Sequence, residues 1–244
     1  MEGINFTPNA RIADHHLLYK AISDQNNGLI VTWVDDRNNI PEIGNPNNGN
    51  VDVYAQRINS SGDLLWGIEG IAVAETSNAE DGTQLLMDQN SDMGISWSER
   101  SGGYYLIKAK KFDLALGTTK LYPNNGGNFI SLSGEIKAMQ LTPDNEIIYL
   151  WQLGDFFTDI RGQKFDAAGN AVWSDTDPNS PMSGVDMATA DNAQNKPQSV
   201  SDGKGGMIFA YEDNRQPIAD FSDLYAQRVY EDGTLSPVQT PQNV

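Results

Sequence analysis

Carboxylates and guanidiniums recur just beyond four similar apolar segments, as Asp35-Asp36-Arg37, Glu99-Arg100, Asp155 and Asp213-Asn214-Arg215. Two chemistries fit them. In one, Asp35, Arg37, Glu99, Arg100, Asp155, Asp213 and Arg215 line the mouth of a channel and bind a polar ligand. In the other, simpler one, each arginine staples a loop by pairing with an aspartate that opens the next strand, Arg37 with Asp52 and Arg215 with Asp223, because a guanidinium fork matches a carboxylate. A third pattern, Asp175-x-Asp177-x-Asn179, has the alternating oxygens of a calcium loop, but Ser180 stands where such loops carry glycine and no distal glutamate follows. Calcium is therefore the single cofactor the sequence leaves open.

Motifs for other chemistry do not occur. The two histidines, His15 and His16, are adjacent and cannot alone make a zinc set. There is no cysteine, no Gly-x-Ser-x-Gly elbow and no phosphate loop. With 33 acidic and 16 basic residues the chain carries a formal charge of −17, a field that repels a phosphate backbone, so nucleic acid is not an expected partner. Glycan and protein ligands remain. A carboxylate pair for glycoside hydrolysis could be drawn from so many acids, but its separation would be set by the fold.

The elements that position these residues come in four copies. Segments 29–33, 93–97, 147–151 and 207–211 are apolar runs that end in Trp33, Trp97, Trp151 and Tyr211. Each is followed by a second signature, Tyr54-Ala55-Gln56-Arg57, Lys108-Ala109-Lys110-Lys111, Arg161-Gly162-Gln163-Lys164 and Tyr225-Ala226-Gln227-Arg228, and then by a glycine at Gly62, Gly117, Gly169 or Gly233. Short runs before each apolar segment, and Leu64-Leu65-Trp66 or Ala171-Val172-Trp173 after the glycine, read as first and fourth strands. No convincing amphipathic helix is present. A period of some fifty to sixty residues with four strands suits a propeller blade.

The expectation is thus an all-β, β-propeller-like single domain over 1–244, with four four-stranded repeats at about 12–73, 83–130, 135–188 and 196–244. The initial Gly3-Ile4-Asn5-Phe6 matches Gly70-Ile71-Ala72-Val73 and Gly184-Val185-Asp186-Met187, a piece that the fourth repeat lacks, so residues 3–6 are expected to close the last blade. An eight-bladed ring built from two chains is the alternative, which makes the chain a monomer or a ring-completing dimer. Connections on one end of the strands are long (38–50, 74–82, 122–134, 174–195 and 216–222), and function is expected on that face.

The stretches Gly28 to Arg37 with Asp52 to Arg57, and Gly206 to Arg215 with Asp223 to Arg228, resemble an uncharacterised repeat of large secreted bacterial proteins, of the form Gly-x-Ile-Val-x-Trp-x-Asp-x-Arg … Asp-Ile-Tyr-Ala-Gln-Arg. The resemblance is strong in repeats one and four and weak in two and three. It implies an extracellular, propeller-like module, often part of a longer cell-surface protein, and it carries no catalytic residues. Membrane insertion is not expected, because no stretch approaches the roughly eighteen uncharged apolar residues of a span. The function expected from this is a non-catalytic extracellular module that recognises a glycan or protein through its long-loop face. A secreted glycan-active hydrolase or lyase is the alternative, and a structural spacer of a larger surface protein the second.

Overall fold

The computed structural model describes residues 19–37, 51–120, 132–154, 158–174, 184–215 and 222–237. Among them every regular element is a strand. The chain forms four antiparallel sheets, in two compact units, Met1–Ile136 and Lys137–Val244. The first sheet holds β1 (Tyr19–Ser23), β2 (Leu29–Asp35), β3 (Asp52–Ile58) and β4 (Ile71–Ala74), in that order. The second holds β5 (Ala79–Met87), β6 (Asp92–Ser101), β7 (Tyr104–Asp113) and β8 (Thr119–Lys120), with β9 (Leu132–Ser133) also paired to β7. The third holds β10 (Glu135–Leu141), β11 (Ile147–Leu153), β12 (Asp159–Phe165) and β13 (Val185–Ala188), and the fourth β14 (Gln194–Ser201), β15 (Met207–Asp213) and β16 (Asp223–Val229).

The repeat signatures have physical causes. Position nine before each aromatic carries Asp24, Asp88, Thr142 or Asp202, and each side chain folds the first hairpin around itself. Asp24 Oδ1 accepts the N–H groups of Asn26 and Gly28, Asp88 those of Asn90 and Asp92, and Asp202 those of Lys204 and Gly206. The last residue of the Ala-Gln-Arg signature then neutralises that aspartate: Arg57 meets Asp24 at 2.9 Å, Lys111 meets Asp88 at 2.6 Å, and Arg228 meets Asp202 at 2.6 Å. Thr142 has no charge to offer, and Lys164 pairs instead with Glu146 at 2.8 Å. The glutamine of the signature brackets the chain beyond the second hairpin. Gln56 accepts from the Trp66 N–H and donates to the Gly67 carbonyl, and Gln163 accepts from the Trp173 N–H and donates to the Trp173 carbonyl.

That bracket corrects one expectation. Leu64 and Ala171 make only isolated bridges to β3 and β12, and the fourth strands of the first and third sheets are Ile71–Ala74 and Val185–Ala188. Gly70 and Gly184 admit these strands. Both have φ +73°, and a Cβ at either would sit 2.4 Å from its nearest neighbour, the Ala55 carbonyl or the Trp151 ring.

Each unit has its own core. Ile30, Val53 and Val73 of the first sheet pack with Met93, Ile95 and Phe112 of the second, and Ile148, Leu150 and Ile160 of the third with Met207, Phe209 and Val229 of the fourth. The fourth sheet differs in its described strands, three rather than four. Its Leu224 and Ile208 are 78% and 43% exposed, whereas their equivalents Val53 and Ile30 are fully buried. Residues 3–6, expected to complete this sheet, lie outside the described residues.

Candidate functional site

The arginine-rich strand ends form staples, though not with the expected partners. Arg37 folds back on its own strand and grips Asp35 through Nε (2.9 Å) and Nη2, while Nη1 donates to the Glu69 carbonyl. The Trp33 indole also donates to Asp35, and the guanidinium lies 3.9 Å from the Tyr54 ring centroid. Arg215 likewise pairs with Asp213 and stacks on Tyr225 at 4.2 Å. The pairings Arg37–Asp52 and Arg215–Asp223 are therefore replaced by pairs two residues apart, because the aspartate side chains are already aimed at the turn by accepting the Arg37 and Arg215 N–H groups. Burial works against the charge of Asp35, but the bonds from Arg37 and Trp33 outweigh it and hold the carboxyl below its ordinary value.

In the first unit the Arg37–Asp35 staple borders a row of four acids. Asp35 and Asp52 face each other across β2 and β3, and Glu80 and Glu99 do so across β5 and β6. The two pairs are joined where the Glu80 N–H donates to the Val51 carbonyl at 2.8 Å. Residues directly opposite in register project from the same face of a sheet; the Asp52 and Glu99 charges both bear on Glu80, whereas Asp35 is turned to Arg37 and Trp33. Asp35, Asp52 and Glu80 are buried, and Glu99 is half-buried, with Asn78 Nδ2 at 3.3 Å. Thr76, exposed, donates its hydroxyl to Glu80 Oε1.

Glu80 is the unusual member. Burial raises its pKa, the neighbouring Asp52 and Glu99 charges raise it further, and the Thr76 hydroxyl only partly offsets them, leaving it at about 7. Asp52 lies close enough that a hydrogen bond between the two carboxyl groups, which requires a proton, adds to the rise, and Glu80 Oε2 is buried without a hydrogen-bond partner. Glu80 thus holds its proton far above the ordinary glutamate range and is about half protonated at neutral pH, as suits a proton donor. Lys110, whose Nζ is 2.6 Å from the Val73 carbonyl and 5.6 Å from the Trp97 ring, is held below the usual lysine range by burial, against the pull of Glu80.

Stability should record that proton. Between the ordinary glutamate value of 4.5 and about 7, the folded chain holds a proton that the unfolded chain has lost, so stability falls as pH rises through this window and levels off above it. Asp24, Asp35 and Asp202, with pKa values lowered by their partners, act at lower pH and in the other sense, losing stability as the medium is acidified. Denaturant midpoints across pH 5–8 check this: wild type should decline relative to Glu80→Gln, and parallel curves would contradict it.

The second unit supplies an internal comparison. Glu80 and Gln194 each stand 17 residues before the aromatic of their sheet. Gln194 pairs with Asp213 in register and donates its N–H to the Thr158 carbonyl at 2.7 Å, as Glu80 does with Glu99 and Val51. The fold accepts a neutral amide at this place, so the acid at position 80 is not required by the architecture.

Of the residues selected from sequence, Asp35 and Glu99 belong to the row and Arg37 borders it. Arg100 is exposed, 6.0 Å from the Tyr105 ring. Asp213 and Arg215 lie in the second unit as their own staple. Asp155 and the calcium candidates Asp175, Asp177 and Asn179 lie outside the described residues, among which no group of three potential ligands converges on a metal position. Asp52 as a site acid and Glu80 were missed. Glu80 falls in a stretch read as loop, and only its mismatch with Gln194 in the repeat alignment signals it.

No known protein family matches the sequence, and no curated protein does. Solved structures do match. An α-L-arabinanase from Penicillium chrysogenum, complexed with arabinobiose, aligns over 94% of this chain and 65% of its own, with a TM-score of 0.59 and 12% identity. A candidate glycosidase from Bacteroides thetaiotaomicron aligns over 97% and 80% (TM-score 0.52, 11% identity), and a candidate exo-β-1,3-galactanase from Bifidobacterium bifidum over 91% and 70% (TM-score 0.51, 9% identity). At such identities the likeness is one of fold, and that fold is all-β and β-propeller-like. The expectation of a non-catalytic binding module is corrected by these neighbours, which are glycoside-cleaving proteins by name and favour the hydrolase alternative.

Proposed function

We propose that this chain is a secreted glycan-active hydrolase in which Glu80 is the proton donor. The observation that carries the reading is the Glu80–Asp52 pair, a buried acid that keeps its proton near neutrality in a fold shared with glycosidases. Glycoside cleavage needs an acid to protonate the leaving oxygen and a second carboxylate to act as base or nucleophile. Glu99, opposite Glu80 and half-buried, takes the second role, and Asp52 sets the proton affinity of the first. The exposed Thr76, whose hydroxyl donates to Glu80, links the buried acid to the surface. Reducing-sugar release from a panel of neutral glycans that includes arabinan and β-1,3-galactan tests the activity, and release from none of them would remove it.

Secretion is part of this reading, supported by the resemblance of Gly28–Arg37 and Gly206–Arg215 to repeats of secreted bacterial proteins. So is closure of the fourth sheet by a further strand. The three-stranded fourth sheet and its exposed Leu224 support that closure, whether residues 3–6 of the same chain or a second chain supply the strand.

A further inference from the structure

The second unit contains a groove of about 600 Å³ at the short-turn end of its strands, the end away from the Gln194–Asp213 pair. It runs between the hairpins of the third and fourth sheets. We propose that it is a binding site for a neutral oligosaccharide, separate from the acid row and not dependent on it.

The groove exists because of a substitution within the repeat. In the first unit Arg57 not only pairs with Asp24 but also reaches across to the Leu114 carbonyl of the next sheet, at 3.3 Å. Its equivalent, Lys164, turns to Glu146 in its own sheet and leaves the seam open. The walls are fixed beforehand. Trp173 Nε1 donates to the Glu231 carbonyl at 2.8 Å, and Arg228, held on Asp202 by Nε and Nη2, lies 4.7 Å from the Tyr230 ring centroid.

The lining decides the ligand class. Its volume is within the ~300–1,000 Å³ range of small-molecule sites. Four carboxylates line it, and two of its three cations, Lys164 and Arg228, are already paired with carboxylates, so a polyanion is disfavoured. The same cations disfavour a metal or a polycation. What remains is a polyhydroxyl ligand: hydroxyls can donate to fixed carboxylates and accept from Lys204, while a sugar's C–H face rests on the partly exposed Tyr230 ring.

Affinity electrophoresis in gels that contain arabinan, β-1,3-galactan or polygalacturonate tests this, with Tyr230→Ala and with Val172→Arg, which fills the groove from a position 42% exposed. At least one neutral polymer should retard the wild type and Glu80→Gln alike. Both groove variants should bind it about tenfold more weakly, with polygalacturonate without effect and hydrolysis of a short soluble substrate unchanged. Absence of retardation by either neutral polymer, retention undiminished in Val172→Arg, or retention lost only in Glu80→Gln would each overturn the site. Absence of hydrolysis by the wild type, or undiminished hydrolysis by Glu80→Gln, with groove binding intact would instead overturn the catalytic reading alone.

Discussion

Glu80→Gln should lower glycan hydrolysis by about 10²–10⁴-fold, the range that one general acid contributes, while the protein folds and keeps its melting behaviour below pH 5. The substitution is close to isosteric, and the repeat itself shows that the position accepts it, since Gln194 occupies the equivalent place in the second unit. Above pH 7 the variant should be the more stable protein, because the wild type then bears the cost of a buried acid near two other carboxyls. Lost activity together with gained stability is the signature of a functional acid. A structural acid would lose stability on the same change. The measurement is reducing-sugar release and denaturant midpoint on the same preparations. Wild-type activity in Glu80→Gln would dismiss the acid, and collapse of the variant would make position 80 structural.

The second large effect is on stability. Asp24→Ala should destabilise the first unit by about 3 kcal/mol, measured by chemical denaturation. Asp24 is 1% exposed, accepts the Asn26 and Gly28 N–H groups at 2.8 and 2.7 Å, and neutralises Arg57. Removing it leaves two turn donors without their acceptor and a guanidinium without its carboxylate, with only the Leu114 carbonyl left to it. Asp24→Asn keeps an oxygen for the turn and loses only the charge, so its cost should be about half as large. Asp202→Ala should reproduce the loss in the second unit, where Arg228 and the Gly206 N–H play the same parts. A cost below about 1 kcal/mol for both alanine variants would mean that water replaces the carboxylate and that the hairpin holds itself.

How much of this could be read from the chain follows from the physics of each feature. The apolar runs ending at Trp33, Trp97, Trp151 and Tyr211 identify central strands because burial on both faces needs no alternation, and all four form the second strands of sheets. The fourth strands were misplaced at Leu64 and Ala171. Those residues look like strand, but the glutamine bracket at Gln56 and Gln163 bends the chain there before it pairs. The arginine staples were legible in kind and not in partner. The choice of Asp35 over Asp52 depends on where the carboxylate already points, and that is fixed by a backbone N–H two residues on. The acid row was illegible for a deeper reason. Its members come from four strands over residues 35 to 99, and nothing local distinguishes Glu80 from the other acids of so acidic a chain. What sets it apart is desolvation and the proximity of Asp52, which exist only in the folded sheet pair.

Everything functional here turns on whether Glu80 is a neutral acid at working pH. Infrared difference spectra of wild type minus Glu80→Gln, recorded through a pH titration, read that directly from the carbonyl stretch of a protonated carboxyl. The band should persist to neutrality and disappear with a midpoint near pH 7. Its absence above pH 5 would show position 80 ionised like any surface glutamate, and the assignment of a proton donor would be wrong.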